Sequence, residues 1–173
     1  MVGFLLLLPV QNMTLQELEK INLDVKNLAD KACKNYYFGR FIPNNRAIFV
    51  GEMPTINSNW DPRDNFNLPQ DQKFLELLNK YGFGGCYITD IVKTVSEPRR
   101  PTPEEIETFL PILKLEIQII NPKIIIALGE QTQQTLADNG IKAEKIWLPV
   151  YPRRYNRWIE YENQVKQLAV LTG

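Results

Sequence analysis

The chain has 173 residues, of which 20 are basic, 20 are acidic, two are Cys and none is His. This length is typical of one domain that buries a core without disulfides or metals, and the hydrophobic (44%) and charged (23%) fractions are those of an ordinary globular protein. The absence of His excludes a His-based catalytic triad and an imidazole zinc site. Two Cys are too few for a disulfide framework, and zero net charge argues against a uniformly basic surface but not against a local basic patch.

The N-terminal part of the chain combines an apolar opening with a long predicted helix. Residues 1–10 are apolar, but they follow no Lys or Arg, precede no small-residue cleavage site and are too few to span a bilayer. We therefore expect a segment packed on the core rather than a signal peptide, in a cytoplasmic protein with reduced thiols. Thr14 and Glu17 form a capping box, and apolar residues recur every three or four positions from Leu15 to Ala32, which predicts a helix starting at Thr14.

Strands and helices are predicted to alternate along the rest of the chain. Short apolar runs predict four strands, at residues 46–51, 85–92, 123–128 and 146–150. Helical spacing predicts helices at residues 69–81, from Thr102 onward, at 129–140 and after an N-cap at Asn156. The helix after Thr102 has the clearest start, because Pro103 occupies its first position and Glu105 completes a capping box.

This alternation predicts a single domain over residues 1–173 with an α/β fold. Right-handed crossovers between strands give a central, mainly parallel four-stranded sheet between two layers of helices, a three-layer α/β/α arrangement. Ligands of open α/β sheets bind outside the carboxyl ends of the strands. The candidate site loops are therefore residues 51–55, 89–93 and 149–154.

Four motifs in this order resemble the uracil-DNA glycosylase superfamily: VGEMP at 50–54, YITDIVK at 87–93, RPTPEEI at 100–106 and NPKIIIALG at 121–129. Within the superfamily, the chain is similar to the bacterial and archaeal iron–sulfur group, family 4. The resemblance implies a uracil-DNA glycosylase-like fold and a hydrolase of DNA base-excision repair. Such an enzyme binds duplex or single-stranded DNA, flips a damaged or deaminated base into a pocket and hydrolyses its N-glycosidic bond.

The resemblance also implies a set of base-binding residues. They are Gly51, Met53, Pro54, Phe66 and Asp90. Phe66 matches the ring that stacks on the flipped base, and its alternative role is to fill the core. Asp90 stands where the family has an Asn that binds the Watson–Crick edge, and its alternative role is to cap the loop or pair with nearby Lys93. Because an ionised carboxylate accepts hydrogen bonds and an amide also donates them, Asp90 predicts an altered base preference.

The catalytic candidates are Asp61, Glu52 and Tyr151. Met53 stands where the best-known branch of the superfamily has its catalytic Asp, so a nearby carboxylate, first Asp61 and then Glu52, is expected to orient water and stabilise the sugar cation. Asp61 is followed by Pro, which is also typical of a turn. Tyr151 stands where the family has a His that stabilises the departing base, and Arg153 or Arg154 is the charged alternative for this donor. The alternative role of Tyr151 is to line the loop.

Two basic patches are the predicted DNA contacts. Residues 145–159 carry Lys and Arg without any acidic residue, interleaved with Tyr151, Tyr155 and Trp158, as on many nucleic-acid-binding surfaces. A second patch precedes the helix that starts at Thr102. The predicted DNA-binding residues are Lys93, Arg99, Arg100, Pro152, Arg153, Arg154 and Arg157. The alternative is a solvated loop with Trp158 anchored in the core.

The cysteines of the iron–sulfur group are missing from this chain. Thr94 and Phe109 stand at two of their positions, and Cys33 has no Cys-x-x-Cys partner, so we expect no cluster and no other metal or cofactor. Cys33 and Cys86 are expected to be buried thiols, in a protein that is a monomer by default. Two other functions stay open, a non-catalytic nucleic-acid-binding relative and a nucleoside enzyme on the same fold.

Overall fold

The computed structural model describes residues 7–40, 44–55, 60–66 and 68–173. The helices in these ranges are α1 (Leu7–Lys31), α2 (Pro69–Lys80), α3 (Pro103–Ile120), α4 (Glu130–Asp138), α5 (Val150–Tyr155) and α6 (Trp158–Leu171). The strands are β1 (Asn44–Gly51), β2 (Cys86–Asp90), β3 (Ile125–Leu128) and β4 (Glu144–Ile146). Among the described residues, no helix is both long and apolar enough to cross a bilayer.

The four strands form one parallel sheet in the order β2-β1-β3-β4, with helices on both faces. Helices cover both faces because the side chains of β1 alternate between two apolar clusters. Ile48 and Val50 pack with α1 and α3, whereas Ala47 and Phe49 pack with α2 and α6. The predicted three-layer α/β/α fold with a central parallel sheet is thus confirmed, and the ends of β1 and β2 lie side by side.

The start of α3 matches its sequence signature. Thr102 Oγ1 accepts a hydrogen bond from the Glu105 N–H at 3.2 Å, and the Glu105 carboxylate accepts one from the Thr102 N–H at 2.9 Å. Both bonds occupy amides that a helix leaves without a partner in its first turn. Because local bonds set this boundary, α3 begins where predicted, and Phe109 and Leu113 on its inner face are buried.

The N-terminal helix differs from its prediction. Helix α1 begins at Leu7, so Thr14 lies inside the helix and does not start it. Residues 1–6 and the side chains of 7–13 lie outside the described part of the chain, and the packing of the apolar opening stays a prediction. The buried thiol predicted at Cys33 is wrong, since Cys33 is exposed in a left-handed conformation just after α1, whereas Cys86 is buried as predicted.

The C-terminal elements also depart from the periodicity. Strand β4 ends at Ile146, and Val150 begins the short helix α5, so the strand predicted at 146–150 is wrong. Asn156 is the left-handed C-cap of α5 and not the N-cap of α6. In α6, Ile159 is 78% exposed, and Tyr161 takes the core position. An apolar run of this length does not distinguish a strand from a helical turn, and tertiary packing decides.

Candidate active site

A cavity of about 370 Å³ opens at the carboxyl ends of β1 and β2. This is the edge of a parallel sheet at which ligands bind, and the volume is in the range of small-molecule sites. The walls include the loop after β1, the segment before α2, the end of β2, the segment before α3 and the turn between β4 and α5. The predicted site residues that line the cavity are Gly51, Glu52, Met53, Pro54, Phe66, Asp90 and Arg99.

Gly51 and Asp90 approach each other closely at the wall of the cavity. It pairs with Asp90 across the two strands, and a β carbon at position 51 would lie 2.2 Å from Asp90 Oδ1 and 3.5 Å from Phe66 Cζ. Asp90 is buried and held by a hydrogen bond from Asn65, so its carboxylate has little room to retreat. Position 51 therefore requires glycine, because only glycine leaves space for Asp90 Oδ1 against the end of β1.

Replacing Gly51 with Ala is expected to lower the free energy of unfolding by about 1–3 kcal/mol, because the new methyl group overpacks the site. Urea denaturation measures this loss. Adding Asp90→Ala removes the opposing oxygen, so the two substitutions are expected to couple by about 0.5–3 kcal/mol in a double-mutant cycle. Strictly additive losses would contradict the contact.

Asp90 is the most perturbed carboxyl group of the cavity. Its side chain is buried, and Oδ2 accepts a hydrogen bond of 2.8 Å from Asn65 Nδ2. Burial raises the pKa of Asp90 to about 6, against the opposing effects of the Asn65 hydrogen bond and the Lys93 charge. The orientation of the Asn65 amide is fixed, since its Oδ1 accepts the Phe66 N–H at 2.9 Å. Asp90 is thus mainly ionised at neutral pH, and it is half protonated near pH 6.

Phe66 adopts a left-handed backbone conformation, with φ of 58°. This conformation is costly for a residue with a bulky side chain and has to be held by its surroundings. Arg40 holds it, because its Nη1 donates to the main-chain oxygens of Asn65 at 2.6 Å and Phe66 at 3.0 Å. The ring lines the cavity and packs on Phe74, with ring centroids 6.3 Å apart. The ring thus packs on the core and also borders the cavity, and its stacking on a base stays a prediction.

Glu52 is the candidate catalytic carboxylate that lies at the cavity. Its Oε1 accepts hydrogen bonds from Nε and Nη2 of Arg100, both at 3.3 Å, and its side chain is 17% exposed. Met53 and Pro54 follow it and form an apolar part of the wall, with Met53 packed against the core cluster that contains α1 and α3. The first loop thus presents one carboxylate on an apolar background.

Asp61 and Tyr151 take the alternative roles that their sequence context allows. Asp61 is exposed, does not belong to the described lining of the cavity, and accepts the Arg63 N–H at 2.9 Å, as the first residue of a turn does. Tyr151 also stands outside that lining. Its ring packs between those of Trp147 and Tyr155, with centroids 4.6 Å from each. A catalytic role of either residue stays a prediction.

The prediction of Lys93 as a DNA contact is wrong. Its side chain is 1% exposed, and Nζ donates to Glu116 Oε2 and to the main-chain oxygen of Asp90, both at 2.6 Å. Nζ also bonds Thr89 Oγ1. A phosphate cannot reach this ammonium group. Lys93 pairs with Glu116 and not with the Asp90 carboxylate, and it fixes the main chain at the end of β2.

The other predicted basic residues lie at the surface. Arg99 lines the cavity and forms two hydrogen bonds to Glu105, at 2.8 and 2.7 Å. Arg153 and Arg154 are exposed on α5, and Arg157 lies over the Trp147 ring at 5.0 Å and pairs with Glu160 at 2.9 Å.

Two residues of the predicted C-terminal patch face inward. Pro152 is buried in α5, so its prediction as a surface contact is wrong. Trp158 packs against the core through Tyr161, with ring centroids 5.8 Å apart, as the alternative for Trp158 predicted. The exposed basic patch thus consists of Arg153 and Arg154 on α5. The packed rings of Trp147, Tyr151 and Tyr155 are named the Trp147–Tyr151–Tyr155 ladder.

Sequence reasoning missed three residues that shape the cavity: Arg40, Asn65 and Asp71. Asp64 lines the cavity 3.6 Å from Arg40 Nη1, and buried Asp71 lines it while accepting the Leu68 N–H at 2.8 Å. Burial raises the pKa of Asp71 as well. Asp71 had a sequence signal, because an acidic residue two positions after a helix-starting Pro commonly closes a capping box. Arg40 and Asn65 had none, since their contacts are tertiary.

The residues present do not fit an iron–sulfur cluster. Only two Cys exist; Cys33 is exposed after α1, and the buried Cys86 thiol donates to Asn44 Oδ1 at 3.1 Å. Thr94 and Phe109, at the positions of two family cysteines, are buried, and Phe109 belongs to the apolar core. Within the described ranges, no three His, Cys, Asp or Glu residues are arranged to hold a metal ion.

Comparisons with known proteins agree with the geometry. A family model described as the Uracil DNA glycosylase superfamily matches residues 38–171, a span that contains the whole described cavity lining except Tyr37. The chain is 32% identical over 139 residues to a type-4 uracil-DNA glycosylase of Pyrobaculum aerophilum, which covers 75% of this chain and 70% of that protein. It is also 32% identical over 129 residues to a type-4 uracil-DNA glycosylase of Sulfurisphaera tokodaii, covering 68% of this chain and 57% of that protein.

Proposed function

The chain belongs to the uracil-DNA glycosylase superfamily, and on that basis we propose that it is a DNA glycosylase. It binds DNA, flips a damaged or deaminated base into the cavity and hydrolyses the bond between base and sugar. The observation that carries this proposal is the joint placement of Gly51, Phe66 and Asp90 around one cavity at the sheet edge. A cytoplasmic location, one domain over the whole chain and a monomeric state stay predictions.

Each cavity residue has a distinct role in the proposed reaction. The Phe66 ring stacks on the flipped base, and Arg40 holds the strained main chain that presents this ring. Asp90 binds the polar edge of the base. The Glu52 carboxylate, oriented by Arg100, stabilises the positive charge that develops on the sugar and orients the attacking water.

The base preference is proposed to differ from that of an amide-bearing site. Uracil presents an acceptor (O4) beside a donor (N3–H), so an ionised Asp90 binds one group and repels the other. Protonated Asp90 can pair with uracil or with a base that has an amino donor beside a ring acceptor. With a pKa of about 6, both forms of Asp90 are accessible near neutral pH. Abasic-site assays on duplexes with uracil, hypoxanthine, xanthine or cytosine, with Asp90→Asn in parallel, test this preference.

The outcomes of that assay separate the rival functions. Abasic sites formed at any of these bases support a glycosylase, and efficient release of uracil alone by ionised Asp90 contradicts the altered preference. Salt-dependent DNA binding without abasic sites favours a non-catalytic relative. No DNA binding at low salt removes both nucleic-acid functions and leaves the nucleoside enzyme.

DNA is proposed to bind across α5 and the Trp147–Tyr151–Tyr155 ladder. Aromatic rings next to arginines suit exposed bases and their phosphates, and Leu148, Pro149 and Val150 connect this surface to the cavity wall. Tyr155 is 55% exposed and ends the ladder.

Replacing Arg153 and Arg154 together with Ala is expected to weaken DNA binding and to reduce the slope of log affinity against log salt by about 1–2. The physical reason is that each phosphate contact releases about one counterion. The matched control is Lys20→Ala with Lys114→Ala, two exposed lysines on α1 and α3, which changes the net charge equally. Equal salt slopes for the two double variants would contradict the assignment of this surface.

A further inference from the structure

We propose that the cavity selects a positively charged, N-alkylated purine, such as N7-alkylguanine in DNA. This inference rests on the proposed glycosylase function and names its substrate class. Three observations carry it: the charge of the cavity wall, an open oxygen of Asp90, and the absence of a His for the departing base.

Acidic groups dominate the described wall of the cavity. Among its described residues, four carboxyl groups line it, those of Glu52, Asp64, Asp71 and Asp90, against the single cation Arg99, whose guanidinium is bound by Glu105. From outside the cavity lining, Arg40 pairs with Asp64 and Arg100 pairs with Glu52, whereas Lys93 bonds the main-chain oxygen of Asp90. The fixed carboxylates therefore face a ligand from several sides, and in a low-dielectric cavity they favour a cation over a neutral base.

One oxygen of Asp90 is directed toward this cavity. Oδ2 accepts the Asn65 hydrogen bond, whereas Oδ1 approaches Gly51, which itself lines the cavity. Asp90 is 5% exposed, and no donor in the described part of the chain bonds Oδ1. A carboxylate oxygen that borders a cavity gains strongly from an N–H donor. Guanine offers two adjacent donors, N1–H and the N2 amino group, whereas uracil offers one beside an acceptor.

A base that leaves uncharged needs no His beside it. A neutral base such as uracil leaves as an anion and needs a hydrogen-bond donor or a cation beside it. When the bond between C1′ and N9 of N7-alkylguanine breaks, its electron pair neutralises the cationic ring, and the base leaves uncharged. Water adds its oxygen to C1′ and gives its proton to the Glu52 carboxylate, which releases it to solvent. No group has to stabilise a leaving anion.

The test uses the full chain and oligonucleotides that carry one N7-methylguanine, one uracil or one hypoxanthine, and measures the released base by mass spectrometry against a blank without protein. We expect release of N7-methylguanine to exceed release of uracil by about tenfold or more. Asp90→Asn is expected to lower it by about 10- to 100-fold, because a charge-assisted hydrogen bond is lost. The control Asp24→Asn, on the exposed face of α1, should leave it unchanged.

A binding measurement tests the charge preference without catalysis. In titration calorimetry, 7-methylguanosine in its cationic form should bind about tenfold tighter than guanosine, and Asp90→Asn should reduce this difference while circular dichroism shows a folded protein. Equal affinities for the two nucleosides overturn the inference. Release of uracil without N7-methylguanine overturns it too but keeps the proposed function, whereas release of no base at all overturns both.

Discussion

Replacing Glu116 with Ala is expected to destabilise the folded chain by about 3–5 kcal/mol, the loss typical of a broken buried ion pair. Glu116 and Lys93 are each 1% exposed, and their charged groups are 2.6 Å apart. The Glu116 carboxylate also accepts hydrogen bonds from Tyr87 at 3.0 Å and from Thr89 at 3.2 Å. Without Glu116, the Lys93 ammonium group would be left buried with no anionic partner in direct contact.

Urea denaturation of the Glu116→Ala variant measures this loss as a lower midpoint. The matched control is Glu107→Ala, at an exposed position of the same helix, which should change stability by about 0.5 kcal/mol or less. A double replacement, Lys93→Met with Glu116→Leu, removes both charges and is expected to recover part of the loss, because buried Tyr87 and Thr89 still lose their acceptor. A Glu116→Ala variant as stable as the control would contradict the ion pair.

This pair also supports the candidate site. Lys93 Nζ bonds the main-chain oxygen of Asp90 at 2.6 Å, so the network that stabilises the sheet also fixes the residue proposed to bind the base. The double replacement is therefore expected to fold but to release base more slowly than the unmodified protein. That result would separate the positioning role of Lys93 from its role in stability.

Replacing Asp90 with Asn has the opposite expected effect and stabilises the folded chain by about 2–3 kcal/mol at neutral pH. Burial raises the pKa of Asp90 from its ordinary value of 3.8 to about 6, so keeping this group ionised in the folded state costs free energy. Asn carries no charge and can still present an oxygen to the Asn65 amide. The ionised Asp90 thus lowers the stability of the folded chain at the position where a ligand is proposed to bind.

The stability advantage of Asp90→Asn over the parent protein is expected to grow as the pH rises. The folded protein binds the Asp90 proton more tightly than the unfolded chain, so this group removes stability as the pH rises from about 4 to about 6. The variant lacks that loss, and its advantage should therefore be absent below about pH 4 and full above about pH 7. Urea denaturation of both proteins across this range measures the difference. An Asn variant that is less stable than the parent at neutral pH would contradict the buried, ionised carboxylate.

The sequence predicted features that depend on neighbouring residues. The start of α3 follows from the Thr102 and Glu105 side chains binding each other's amides, and the alternating strands and helices follow from periodic apolar residues. Parallel strands bring the ends of β1 and β2 together, and this rule alone predicts Gly51 and Asp90 at one edge of the sheet. Residues of the cavity that come from these strand ends could therefore be predicted.

The rest of the site depends on distant contacts that no local pattern encodes. Lys93 belongs to a basic run in the sequence, but Glu116 on α3 binds it and removes it from the surface. Phe66 has its strained conformation because Arg40, far back in the chain, bonds two main-chain oxygens. Both outcomes depend on which side chains the sheet and helices bring together.

By itself, the sequence determined the α/β/α architecture, the absence of His and the lack of cysteines for a cluster, because these follow from composition and short-range periodicity. Only the tertiary structure decided which charges act at the cavity. It buried Lys93, turned Asp61 into a turn residue and packed Tyr151 into a ring ladder, while leaving Glu52 and Asp90 at the cavity. The physical reason is that the state of an ionisable group depends on its burial and its partners in space.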